Sequence, residues 1–153
     1  MVRYRAAWVL PIARPPVRDG WVEVARGRVS GVAGVNRPSP DVREVSLGDV
    51  ALLPGLVNAH THLELSHLRD AIPPADNFVS WIRQVVALQR QRTDQSADRI
   101  LSGVAEGIQE AIACGTALVG DISNTLVTFD PIARSALAGV IPAQAVRRTY
   151  TAA

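Results

Sequence analysis

The sequence predicts an α/β chain, with short strands in its first third and strands alternating with helices after that. Three observations carry this expectation. Residues 21–32 read Trp-Val-Glu-Val-Ala, then Arg26-Gly27, then Arg-Val-Ser-Gly-Val, an alternation around a tight glycine turn that signals a hairpin. Apolar residues recur at helical spacing from Asn77 to Arg92 and again after Asp94. Short apolar runs flank those helices, Leu56 to Leu63 before them and Thr116 to Asp121 after, and both have the length of a strand.

Taken in order, Arg3 to Ile12 is a mixed apolar segment stopped by Pro11, Pro15 and Pro16, and the hairpin follows. Asn36 to Asp41, with two prolines, is expected to be a loop, and Val42 to Leu47 and Ala51 to Leu53 are expected to be strands. Pro54-Gly55 is turn chemistry that opens the next strand. A loop from His67 to Asn77 contains Pro73-Pro74, and the first helix then places Phe78, Trp81, Ile82, Val85 and Val86 on one face, its aromatics expected in the core. The second helix starts near Asp94 or Ser96, either of which can cap it. It aligns Ala97, Ile100, Leu101, Val104, Ile108 and Ile112, and stops at Cys114-Gly115 because glycine accepts the left-handed turn that ends a helix. Thr116 to Asp121 reads as a buried strand and Ala138 to Ile141 as a third, which completes the rhythm of a parallel sheet.

Composition narrows the class. A chain of 153 residues, 48% hydrophobic and 20% charged, can bury a real core. All 16 basic residues are arginine, but they are scattered and the net charge is only +2, so no nucleic-acid footprint is present. The single cysteine, Cys114, excludes an internal disulfide and reads as a small buried thiol in a reducing compartment. Prolines interrupt any signal-peptide core and no apolar run approaches the roughly 18 residues of a membrane span, so a cytoplasmic protein without a membrane partner is expected.

The stretch Leu53 to Glu64, LPGLVNAHTHLE, holds His60 and His62, two of the 3 histidines. Side chains alternate along a strand at about 3.3 Å per residue, so the two imidazoles share a face with Cα atoms roughly 6.6 Å apart. That spacing lets both reach one metal ion at about 2.0–2.1 Å. The alternative is two strand histidines satisfied by backbone partners. Leu56 and Asn58 share the histidine face, as does Glu64 if the strand continues. His67 falls outside that phase and reads as a loop histidine.

In its setting the motif says more. The run LLPGLVNAHTHLELS resembles the first barrel strand of the amidohydrolase superfamily, in its metal-dependent deaminase and chlorohydrolase branch. The resemblance extends more loosely from about Arg5 to about Val140. It implies the first two or three strands of a (β/α)8 barrel, preceded by part of a small β-sandwich. It also implies that His60 and His62 ligate a divalent metal, zinc or else iron, which activates water against a C–N bond of a small aminated heterocycle. Glu64 would meet substrate at the barrel mouth, with a solvated loop carboxylate as the alternative. Asp121, at the carboxyl end of its strand, would face the active site and bond a ligand or a metal-bound histidine, or else cap the turn through Ser123 and Asn124.

The family takes its remaining ligands and its catalytic carboxylate from later strands, and a whole barrel needs about 200 to 250 residues. The expected organisation is therefore a partial β-sandwich at 1–53, the first βα units at 54–140, and an irregular, out-of-frame tail at 141–153. A chain so divided reads as an N-terminal hydrolase piece, inactive alone and prone to self-association through its unpaired strand edges. The other reading is a non-catalytic remnant or binding module.

Overall fold

A computed structural model describes residues 1–34, 41–90 and 97–142, and the chain divides into two compact units, Met1–Pro54 and Gly55–Ala153. Residues 36–40 of the loop expected at Asn36 to Asp41, the cap at Asp94 or Ser96, and residues 143–153 of the expected tail lie outside the described residues.

The first unit is built from β1 (Val2–Arg5), β2 (Trp8–Val9), β3 (Val17–Arg18), β4 (Trp21–Ala25), β5 (Arg28–Ala33), β6 (Arg43–Ser46) and β7 (Ala51–Leu52). These form two sheets, ordered β5-β4-β1-β6 and β3-β2-β7. The hairpin between β4 and β5 turns where expected, with Arg26 at φ 51° and Gly27 at φ 73°, the left-handed pair that matches strand twist. β1 lies between β4, antiparallel to it, and β6, parallel to it. Its Arg3 is buried, and two contacts compensate the desolvated charge: Glu23 at 3.0 Å and the Trp21 ring, 4.0 Å from the guanidinium carbon. β3 was not expected, because two residues leave no periodicity to read.

The second unit runs β8 (Leu56–Thr61), a 3-10 helix (Leu63–Leu68), α1 (Phe78–Arg90), α2 (Ala97–Ala113), β9 (Thr116–Asp121), α3 (Phe129–Ala133) and β10 (Ala138–Val140). Its sheet is parallel, in the order β10-β9-β8, so all three strands end on the same side. Asn77 caps α1, its Oδ1 accepting the Ser80 amide at 2.9 Å. Gly115, at φ 82°, follows the end of α2.

The core joins the expected α2 face to the sheet: Ile100, Val104 and Ile108 pack with Leu63, Val119, Ile132 and Leu137. Each such side chain stabilises the fold by about 1.5–3 kcal/mol relative to exposure. Gly103 and Gly107, one turn apart, let the 3-10 helix lie against α2, since a Cβ at Gly103 would stand 2.5 Å from the His67 amide nitrogen and one at Gly107 2.6 Å from the Ser66 hydroxyl. Arg69, just past the 3-10 helix, pairs with Glu110 of α2, whose carboxylate raises the guanidinium pKa still further. Both side chains are solvent-screened, so the pair adds little.

Two expectations of burial are corrected. Phe78 is 71% and Trp81 39% exposed, because the main cluster is assembled from α2, the 3-10 helix, the sheet and the segment around α3, and α1 buries only Val85 fully. Cys114 is exposed, lying past the last turn of α2 and beyond the core-facing stripe. Among the described residues, no helix is long and apolar enough to cross a membrane.

Candidate metal centre

The two histidines stand at the carboxyl end of β8, beside the carboxyl end of β9, where parallel α/β sheets place ligand sites. The ladder does not stay regular up to that point. Asn58 pairs with Val119, but the next pair is Thr61 with Asp121, so β8 spends three residues where β9 spends two. The extra residue makes a bulge at Ala59-His60. Two sequence features accommodate it. Asn58 turns its side chain back and accepts the His60 amide at 3.2 Å, supplying the acceptor that a regular ladder would have provided. Gly120 lets the bulged carbonyl come close, since a Cβ there would stand 2.5 Å from the Ala59 oxygen.

His60 projects into solvent and His62 is half-buried just past the strand end. Their ring centres are 5.1 Å apart and the rings nearly perpendicular, at 78°. The Nδ1 of His62 lies 2.9 Å from the Ile122 carbonyl oxygen. A carbonyl only accepts, so Nδ1 carries a proton, and the tautomer this selects presents its lone pair at Nε2. That is the arrangement by which a neighbouring acceptor fixes the tautomer of a ligating histidine.

The backbone around His62 is held as firmly as its ring. Thr61 accepts the Ile122 amide through its carbonyl at 2.8 Å and donates its hydroxyl to Asp121 Oδ1 at 3.0 Å. The Leu63 amide donates to the same oxygen at 2.7 Å. Asp121 is 0% exposed, and its other oxygen, Oδ2, is buried with no hydrogen-bond partner among the described residues. The expectation that Asp121 caps the turn through Ser123 and Asn124 is thus replaced by bonds back to β8 and the residue after it.

Glu64 departs further from expectation. The strand stops at Thr61 and a 3-10 helix begins at Leu63, so Glu64 leaves the histidine phase and is 0% exposed. It is not a solvated loop carboxylate. Its Oε2 accepts the hydroxyls of Ser123 at 3.2 Å and Thr125 at 2.9 Å, and its Oε1 accepts the Asn124 amide at 2.6 Å. His67, expected in a loop, sits in the 3-10 helix, with its Nδ1 2.8 Å from the Glu64 carbonyl oxygen.

Two imidazoles on one tetrahedral zinc, with Zn–N about 2.1 Å and ring centres about 1.1 Å further out, stand roughly 5.2 Å apart. The observed 5.1 Å fits a shared ion, as does the Nδ1 bond of His62, which leaves Nε2 as the ligating atom. Among the described residues, no group of three or more His, Cys, Asp or Glu is arranged to hold a metal. Of the residues that surround this pair and Glu64, the sequence does not single out Thr61, Gly120, Ile122 and Thr125. The available signals were the run of small polar residues after β9 and an asparagine two residues before a histidine.

Comparison with known proteins places these features in a wider setting. Residues 51–147 match the amidohydrolase family. A 5-methylthioadenosine/S-adenosylhomocysteine deaminase of Nitratidesulfovibrio vulgaris (strain Miyazaki F) is 32% identical over 116 residues, which are 71% of this chain and 25% of that protein. The solved aminofutalosine deaminase of Helicobacter pylori, in complex with methylthio-coformycin, superposes with a TM-score of 0.76 at 22% identity, over 94% of this chain and 35% of that one. A zinc-complexed atrazine chlorohydrolase from Arthrobacter aurescens superposes with a TM-score of 0.76 at 18% identity, over 94% and 35%. The chain spans between a quarter and about a third of the length of these proteins.

Proposed function

The chain belongs to the amidohydrolase family, and on that premise we propose that it carries the opening half-site of a metal-dependent hydrolase of C–N bonds. Its fold is the N-terminal part of a (β/α)8 barrel, with β8, β9 and β10 as barrel strands, preceded by small β-sandwich-like sheets. In this reading, residues 1–53 contribute to the sandwich and 54–140 are the first barrel units. His60 and His62 are two ligands of one divalent ion, zinc in preference to iron. Such an ion, when bound, supplies Lewis-acid activation of water and of the carbon under attack. The substrate class is a small aminated heterocycle, which loses its amino group as ammonia, as the names of the deaminase relatives suggest.

The observation that carries this reading is the paired geometry of the histidines, 5.1 Å apart with Nδ1 of His62 tied to the Ile122 carbonyl. The chain's own residues do the positioning. The Asn58 side chain and Gly120 support the bulge that carries His60, and the end of β9 holds His62. We assign Glu64 and Asp121 to that framework rather than to substrate contact, because both are fully buried and bonded to the chain. One observation favours the second reading, a non-catalytic remnant or binding module, for the polypeptide by itself. A catalytic zinc takes about three protein ligands, and only these two are assembled among the described residues.

Titration of the chain with Co2+, followed by its visible absorption and by zinc competition, tests the ligand assignment. One weakly held equivalent is expected, and it should be lost in both His60→Ala and His62→Ala. Unchanged binding in those variants would reject the assignment. Ammonia release from aminated purine nucleosides separates the two readings of activity: stoichiometric metal with turnover would reject the remnant, and metal without turnover is the result expected of this polypeptide.

A further inference from the structure

Residues 121 and 122 make four hydrogen bonds to the three consecutive residues centred on His62. The Thr61 hydroxyl and the Leu63 amide converge on Asp121 Oδ1, the Ile122 amide donates to the Thr61 carbonyl, and the His62 ring donates to the Ile122 carbonyl. Only the last of these touches the imidazole. The first two fix the backbone on either side of it, and both end on one carboxylate oxygen. We propose that Asp121 is a positioning residue for the metal-ligand pair: it sets the tautomer and direction of the His62 ring by clamping Thr61 and Leu63. This deepens the reading of His60 and His62 as ligands and rests on it.

Three observations support a positioning role over a merely structural one. Asp121 is fully buried, yet its second oxygen has no hydrogen-bond partner among the described residues. Such an orphan is destabilising, a cost carried at this place in β9 alongside the two bonds that Oδ1 accepts. Its working oxygen is shared by the two residues that flank His62, Thr61 through its hydroxyl and Leu63 through its backbone amide. The clamp also lies immediately past the bulge, where regular pairing no longer fixes the direction of side chains on β8. Without it, the His62 ring would hang from an irregular chain end with one bond to hold it. An asparagine would keep an acceptor oxygen in the same place, whereas an alanine would not.

The experiment compares the chain with Asp121→Ala, Asp121→Asn and Thr61→Val, each checked for folding by circular dichroism. Long-range 1H–15N NMR of the metal-free protein reads the His62 tautomer, and Co2+ titration reads affinity. The expected result is a predominant Nδ1-protonated tautomer in the parent and in Asp121→Asn. A tautomer mixture is expected in Asp121→Ala, with affinity lowered 10- to 100-fold, the range typical of losing a group that orients a metal ligand. Thr61→Val, which removes one of the two donors while keeping the shape, should fall between them. It also stands in if Asp121→Ala does not fold.

A folded Asp121→Ala with the parent's tautomer and affinity would overturn the proposal. So would an Asp121→Asn variant that is folded but as impaired as the alanine, since the acceptor would then not be what matters. Should the parent bind no metal at His60 and His62, the ligand assignment fails instead, and the metal-free tautomer comparison still decides whether Asp121 positions the ring.

Discussion

Gly120→Ala should damage the site through a single methyl group. The added Cβ would stand 2.5 Å from the Ala59 carbonyl oxygen, 3.0 Å from its carbon and 3.4 Å from its Cα, all backbone atoms. An ordinary carbon–oxygen approach is about 3.3 Å, so the oxygen must retreat by about 0.8 Å. No side-chain rotation can supply that movement, and the bulge must open. Overpacking of this kind costs typically about 1–3 kcal/mol. The lost glycine freedom in the unfolded chain returns about 0.4–1 kcal/mol, leaving a net loss centred on about 1.3 kcal/mol and at most about 2.6 kcal/mol. Because Ala59 precedes His60, the movement also separates the two rings, so Co2+ affinity should fall along with stability. Urea unfolding at constant m-value measures the first effect and the cobalt titration the second. Gly27→Ala is the control. At φ 73° with nothing within 4 Å of its added Cβ, it should lose stability through strain alone and leave metal binding untouched. A Gly120→Ala protein that matches the parent in both measurements would refute the reasoning.

The remaining predictions concern Glu64 and the sheet edges. Glu64→Ala leaves the Ser123, Asn124 and Thr125 donors without their acceptor in a buried position, and should cost about 3 kcal/mol or more in urea unfolding. Glu64→Gln should cost about 1 kcal/mol, because the hydroxyls can rotate and the Asn124 amide can turn over to meet the new group. We also propose that the isolated chain self-associates. β10 has only β9 beside it among the described residues, its Val140 is 64% exposed, and Leu56 and Val57 on β8 are 51% and 62% exposed. Sedimentation velocity should show concentration-dependent growth, and a single monomer across a hundredfold concentration range would contradict it.

What the sequence makes legible in this fold is whatever its local pattern determines. The Arg26-Gly27 hairpin could be read because a two-residue turn with positive φ demands such residues. The α2 face is legible because apolar positions recur with one period: Ile100, Val104 and Ile108 are buried and Ile112 packs against them, while Ala97 and Leu101 stay exposed. The same periodicity holds only in part for α1, where Val85 is buried while Phe78 and Trp81 on that face stay exposed. Hydrophobic spacing states which face of a helix is apolar and not whether anything lies against it. The 3-10 helix left no period at all, and its seat is visible only as Gly103 and Gly107 on the opposing helix.

The site divides in the same way. His60 and His62 are legible because a two-residue spacing on a strand is local chemistry, although the pairing that holds them is not the regular one the spacing assumes. The bulge between Asn58 and Thr61 breaks the strand period on which their shared face was argued, yet the rings still meet at 5.1 Å. The convergence therefore does not come from alternation alone. It depends on contacts with β9 and the residues after it, some 60 positions along the chain: Gly120 admitting the bulge, Ile122 holding the ring, Asp121 holding the residues on either side. Glu64 was misplaced for the same reason, since its three donors lie at residues 123–125 and nothing near it in sequence announces them. A motif of two histidines thus names the proposed ligands, while the neighbouring strand decides whether they can act as a pair. Substitutions on β9 should consequently disturb metal binding as severely as substitutions beside the histidines themselves.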